Sequence, residues 1–137
     1  MKRATPDSNI LVSAIVFGGK PGELLDMALR GEIKLVVSPE IAAETCGVLR
    51  EKFKFSDEMV LNAWERILDT CTMLKERPPE VRAVPDDVDD DRVVACAIAA
   101  GVETIISGDR HLLKLGMHEG IRIMRVADFL RGPAIER

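Results

Sequence analysis

Tyrosine is absent from this sequence, tryptophan occurs once and phenylalanine four times. With so few rings, a core must be built from Leu, Val, Ile and Ala, which the 47% hydrophobic content allows. Cysteine is equally scarce. Cys46, Cys71 and Cys96 are odd in number, far apart and set in apolar surroundings. That excludes a disulfide framework and any zinc-ligand spacing, and leaves three core thiols. No apolar run approaches the roughly 18 residues of a membrane span, and the stretch Met1–Asp7 has no signal-peptide core. The expectation is a cytoplasmic protein with no membrane partner. Positive charge is also in deficit. A net charge of −4 excludes a protein that holds nucleic acid by bulk positive charge, but it leaves room for an enzyme that reaches phosphates through a bound cation. Repeats and low-complexity segments are missing. A chain of 137 residues suits one domain with a real core and is too short for two, so a single domain over 1–137 is expected.

What the chain does have is acid in one place. Pro85–Asp91 reads Pro-Asp-Asp-Val-Asp-Asp-Asp, with aspartates at Asp86, Asp87, Asp89, Asp90 and Asp91, and it runs straight into the apolar stretch Val93–Ala100. Carboxylates are favoured where a helix begins, because the free N–H groups and the dipole attract anions. One or two serve that purpose. Five repel one another unless water or a cation neutralises them. Taken alone, the run reads as a polar loop with a helix cap. A divalent-metal site needs partners elsewhere in the chain.

Those partners emerge from the order of the elements. Lys2–Pro6 reads as a short strand, and Asp7-Ser8-Asn9 caps a helix running to Phe17. Pro21 sits early in a second helix that reaches Arg30 and stops at Gly31. Ile33–Val37 reads as a buried strand, and Ser38-Pro39 opens a helix to about Lys52 that carries Glu44 beside its apolar stripe. Ser56 caps a helix over Asp57 to about Asp69, with Met59, Val60 and Trp64 on its inner face. Cys71–Leu74 is a short extended segment, and Val81–Val84 leads into the aspartates. A helix over about Asp90–Ala100 precedes a strand at Glu103–Ser107, a short helix at Leu112–Leu115, a last strand at Ile121–Arg125 and a final turn or two at Val126–Arg131. Helices alternating with short apolar strands mark an α/β fold with a parallel sheet.

Ligands of such sheets bind at the carboxyl ends of the strands. Asp7 and Asp109 follow strands, the aspartate run follows Val81–Val84, and Glu44 lies one to two turns into a helix that follows a strand. Four distant segments thus bring carboxylates to one edge. Hard divalent cations, Mg²⁺ or Mn²⁺, suit an oxygen-rich set of this kind. Each residue has a plain structural reading by itself: Asp7 an N-cap, Glu44 a solvated helix residue, Asp109 part of a turn. Zinc suits the motifs poorly, with His111 as a minor candidate ligand; His111 and His118 read first as surface or capping residues, and Trp64 as a core or dimer-interface residue. Four such coincidences at one sheet edge are harder to accept than a site.

The motifs resemble a known family. Asp7-Ser-Asn-Ile-Leu-Val-Ser-Ala14, Ser38-Pro-Glu-Ile-Ala-Ala-Glu44, Asp89-Asp-Asp-Arg-Val-Val-Ala-Cys-Ala97 and Ile105-Ile-Ser-Gly-Asp109-Arg-His-Leu-Leu113 stand in the order of the four motifs of PIN-domain nucleases, and Gly120–Leu130 looks like that family's closing strand and helix. The resemblance implies a three-layer α/β/α sandwich around a central parallel sheet of four to five strands. It implies a Mg²⁺- or Mn²⁺-dependent ribonuclease, and the branch it looks most like is the VapC-like toxin of toxin–antitoxin pairs, with RNA as substrate, an antitoxin partner and a homodimer. Carried over by position, Asp7, Glu44, Asp91 and Asp109 are the catalytic, metal-binding quartet. Asn9, Ser107, Asp89 and Asp90 are supporting residues, and Arg92 and Arg110 are candidate phosphate contacts, as are Lys20 and Lys114. Arg92 departs from the small residue common at its place. Asp86 and Asp87 are expected as a solvated approach to the site.

Two other readings compete. A non-catalytic interaction module of the same fold would use the stripe of Met59, Val60 and Trp64 to hold an antitoxin or a partner subunit. A different aspartate enzyme fits less well. A haloacid-dehalogenase-type phosphatase needs Asp-x-Asp after the first strand, where this chain has Asp7-Ser8-Asn9, and a receiver domain needs a lysine after a late strand, where it has Gly108-Asp109.

Overall fold

The computed structural model describes residues 1–83 and 88–131, without the side chains of Val88 and Asp89. The expectations placed on Asp86, Asp87 and the Asp89 side chain lie outside these described residues. In chain order the elements are β1 (Lys2–Pro6), α1 (Ser8–Val16), α2 (Gly19–Leu29), β2 (Ile33–Val37), α3 (Pro39–Glu51), α4 (Asp57–Thr70) and β3 (Cys71–Met73), followed by α5 (Val88–Ala100), β4 (Thr104–Ile106), α6 (Arg110–Leu115), β5 (Met117–His118), β6 (Ile121–Met124) and α7 (Val126–Arg131).

Local chemistry accounts for most boundaries. The Ser38 hydroxyl accepts the Ile41 N–H at 3.2 Å, with Pro39 in the first turn, so α3 starts where the sequence predicts. Ser56 does the same for α4, accepting the Met59 N–H at 3.2 Å. Such caps each contribute about 1 kcal/mol. In β2 only Lys34 is exposed, while Ile33, Leu35, Val36 and Val37 are buried. This continuous apolar run is what a strand covered on both faces requires.

The strands form one sheet in the order β3-β2-β1-β4-β6-β5. All pairings are parallel except β5 with β6. Starting from β1, the chain adds β2 and β3 on one side and then returns to place β4 on the other. Right-handed crossovers in opposite directions put the connecting helices on opposite faces. Accordingly α2 packs on β2 and β3, and α5 packs on β1, β2 and β4. The main core lies between these layers, around Leu24, Leu35, Ile67, Val94, Ile105 and Ile106. A smaller cluster of Val12, Leu49 and Ala63 joins α1, α3 and α4, with Phe53 and Phe55 packed against it.

Two features differ from the expectation. The sheet has six strands rather than four or five, because Glu119 (φ 48°) and Gly120 (φ 81°) turn the chain into a tight hairpin that adds the two-residue β5. Two residues carry no readable alternation. In addition, residues 81–83 belong to no strand, and the strand before α5 is β3. Pro78 and Pro79 lack N–H donors for a ladder, and the segment from Arg77 to Arg82 lines a surface pocket instead. Cys71 and Cys96 are buried free thiols, and burial pushes each up to about 11, so both stay protonated as inert core groups.

Candidate active site

Strand order reverses between β1 and β4, and the crevice at the carboxyl ends of such a strand pair is where open α/β sheets bind ligands. Asp7 is the first residue beyond β1. Its backbone N–H still follows the sheet, donating to the Ile106 carbonyl at 3.0 Å. Its side chain caps α1, with Oδ1 accepting the Ile10 N–H at 2.9 Å. Its Oδ2 accepts the hydroxyl of Ser107, which follows β4. The same Ser107 oxygen accepts the Asp109 N–H at 2.9 Å, so one buried hydroxyl spaces two aspartates. Asp109 in turn caps α6, its Oδ1 accepting the N–H groups of His111 at 2.8 Å and Leu112 at 3.2 Å.

Glu44 arrives from α3, which packs on α1. The Ser8 hydroxyl, in the first turn of α1, donates to Glu44 Oε1 at 2.9 Å and holds the carboxylate toward Asp7. The fourth carboxylate comes from α5. Asp7, Ser8, Asn9, Glu44, Asp90, Val93 and Asp109 together line a cleft of about 120 Å³. This is well below the roughly 300 Å³ at which pockets for drug-sized ligands begin; it suits an ion and a few waters.

The electrostatics follow from the packing. Asp7 is 4% exposed. Burial first, with a smaller push from the charges of Asp109 and Glu44, raises its carboxyl from 3.8 to about 6 against the hydrogen bonds from Ser107 and Ile10. A cation in the cleft would reverse that penalty. Carboxylate oxygens from four segments form the donor set that a hard divalent ion prefers, so the residues present fit Mg²⁺ or Mn²⁺.

The sequence-predicted residues divide as follows. Asp7, Asn9, Glu44, Asp90 and Asp109 meet at the cleft, with Ser107 behind them. Asp91, expected in the quartet with Asp90 as its support, lines instead a neighbouring pocket of about 550 Å³, with Glu40, Arg77, Arg82 and Arg92. The physical reason is helical phase. Because α5 begins at Val88, Asp90 shares the buried stripe of Val93, Val94 and Ala97, three, four and seven residues on. Arg92 is an exposed wall of the larger pocket, while Arg110 is exposed at the start of α6 and lines neither cavity. Lys20 and Lys114 are likewise exposed and line neither cavity. Two residues carry more than the sequence reading assigned them. Ser8 anchors Glu44. His111 offers a ring nitrogen that, with one carboxylate oxygen each from Asp90 and Asp109, forms a set whose atoms all lie within 4.8 Å of one another. A histidine two residues after a capping aspartate was the available signal.

A parallel α/β sheet with a carboxylate-lined cleft at its switch point defines a class of protein, and the comparisons supply the family. The sequence model of the PIN domain matches residues 3–111, and the chain belongs to that family. PIN domains are generally nucleases and typically use divalent metals. Among solved structures, the fold is similar to that of a chain in the crystal structure of VapBC2 from Rickettsia felis bound to a DNA fragment from their promoter. The TM-score is 0.62 and the identity 14%, over 88% of this chain and 96% of that one. No curated protein matches the chain in sequence. Among the described residues, no helix is long and apolar enough to cross a membrane.

Proposed function

We propose that this protein is a divalent-metal-dependent endoribonuclease acting as the toxin of a toxin–antitoxin pair. The observation that carries this reading is the convergence of Asp7, Glu44, Asp90 and Asp109 on one small cleft at the switch point of the sheet. These four carboxylates would hold Mg²⁺ or Mn²⁺. A bound ion of this type activates a water and stabilises the leaving oxygen of a phosphodiester.

The chain's own contribution is orientation. Ser107 fixes Asp7 and the backbone of Asp109, Ser8 fixes Glu44, and the cap of α6 fixes the Asp109 carboxylate. The cleft is too small for a nucleotide, so the strand must lie across its mouth. The adjoining pocket shares the first turns of α5 with it, and there Arg77, Arg82 and Arg92 stand beside Glu40, Glu80 and Asp91; the three arginines are the candidate contacts for phosphates that flank the scissile one. An RNA substrate, an antitoxin partner and a homodimer belong to this proposal, supported by the family and by the fold shared with a chain of VapBC2. A cytoplasmic location belongs to it as well.

A second reading, a non-catalytic module that binds an antitoxin or a second copy, was expected to use Met59, Val60 and Trp64; Val60 is buried and Trp64 packs on the core, so the reading draws instead on the outer face of α4, where Met59, Leu61 and Leu68 are exposed. One experiment separates the two. Cleavage of a generic single-stranded RNA is measured with Mn²⁺ and with Mg²⁺, for the wild type and Asp7→Asn. Metal-dependent cleavage lost in Asp7→Asn is expected, whereas equal activity in both proteins removes the nuclease reading. Calorimetry that shows no Mn²⁺ binding supports the second.

A further inference from the structure

We infer that His111 supplies a nitrogen ligand to the cation of the acidic cleft, together with Asp90 and Asp109, and so biases the site toward Mn²⁺ and heavier first-row divalent metals over Mg²⁺. The inference rests on the metal-site reading above and adds to it a donor of a different chemical kind.

The geometry comes from three elements held independently. Asp90 is buried on α5. Asp109 is fixed by its cap, which engages Oδ1 and leaves the second oxygen to turn toward a cation. His111 does not itself line the cleft but follows in the first turn of α6, its N–H bound at 2.8 Å to Oδ1 of Asp109, which does. An imidazole nitrogen and one oxygen of each aspartate already lie within 4.8 Å of one another. Donors around an ion with bonds of about 2.1 Å are roughly 3 Å apart when adjacent and about 4 Å apart when opposite. Contraction by an ångström or two, through side-chain rotation alone, therefore seats all three on one ion. The His111 side chain is 58% exposed, and its Nδ1 stands 4.0 Å from Asp109 Oδ1. That distance is longer than a hydrogen bond and within reach of an ion pair when the ring is protonated.

Chemistry then sets the selectivity. Mg²⁺ takes oxygen ligands and gives up its waters reluctantly. Imidazole suits softer ions, and affinity for a mixed nitrogen and oxygen site rises along the first row from Mn²⁺. A cleft with carboxylates alone would discriminate little on this ground. One that adds His111 gains affinity for Mn²⁺ and almost none for Mg²⁺.

The test reads the ligand directly on the full chain. Electron spin-echo modulation of bound Mn²⁺ reports a coordinated ¹⁴N nucleus, and calorimetry gives the Mn²⁺ and Mg²⁺ affinities of wild type and His111→Gln. Glutamine keeps the backbone cap and sits at an exposed position, so the variant folds. Expected are ¹⁴N modulation in the wild type, its loss in His111→Gln, and Mn²⁺ affinity lower by at least about tenfold, the loss typical even of outer-sphere partners, with Mg²⁺ affinity unchanged. Mn²⁺ binding without ¹⁴N modulation, or modulation that persists in His111→Gln, overturns the role of His111 and leaves the carboxylate site standing. A wild type that binds no Mn²⁺ overturns both.

Discussion

Replacing Asp7 by Asn should make the metal-free protein more stable while abolishing its proposed activity. Asp7 is almost fully buried, and burial first, then the charges of Asp109 and Glu44, raise its carboxyl from 3.8 to about 6 despite two hydrogen bonds. A carboxyl raised on folding is happiest protonated. Its penalty is absent below the unfolded value of 3.8, develops as pH rises toward about 6, and is complete above that. The shift corresponds to roughly 3 kcal/mol of cost at pH 8. Asparagine carries no charge and can still accept the Ile10 N–H, as good N-caps do. Its amide must face the Ser107 hydroxyl, which gives back about 1 kcal/mol. The net gain at pH 8 is therefore about 2 kcal/mol, or several degrees in Tm for a chain of this size. Urea unfolding in EDTA at pH 8 and pH 5, wild type against Asp7→Asn, measures it. The gain should shrink at pH 5, and saturating Mn²⁺ should restore the wild type at pH 8. Destabilisation by Asp7→Asn of equal size at both pH values would refute the reasoning, because Asp7 would then be an ordinary cap with no electrostatic strain.

The remaining predictions separate neighbours that sequence alone treats alike. Asp90→Asn should weaken Mn²⁺ binding by at least about tenfold in calorimetry, and Asp91→Asn by less than about twofold, since only Asp90 lines the cleft. Ser8→Ala releases Glu44 from its 2.9 Å anchor; Mn²⁺ affinity should fall by about tenfold with the urea midpoint little changed. Ser38→Ala removes the cap of α3 and should cost about 1 kcal/mol in urea unfolding.

Much of this protein follows from local chemistry, and local chemistry is written along the chain. Ser38-Pro39 and Ser56 start helices because a hydroxyl can satisfy the N–H three residues on. The run Ile33–Val37 is a strand because it is apolar on both faces. The carboxylates Asp7, Glu44 and Asp109 are legible as site candidates because each follows a strand or lies in the helix just beyond one. What no local signal contains is phase and proximity. In α5 the stripe starting at Asp90 (Val93, Val94, Ala97) and the stripe starting at Asp91 (Val94, Ala95, Ile98) are both apolar, so hydrophobic periodicity cannot choose between them. Only packing of α5 against β1, β2 and β4 turned Asp90 into the cleft and Asp91 toward the neighbouring pocket of mixed charge. Likewise the order of strands, which puts Asp7 beside Ser107 across 100 residues of sequence, is a property of the assembled sheet. The same holds for the Ser8 anchor of Glu44 and the approach of His111 to Asp90. Each depends on which surfaces of distant elements are buried together, and that choice is made by the tertiary structure as a whole.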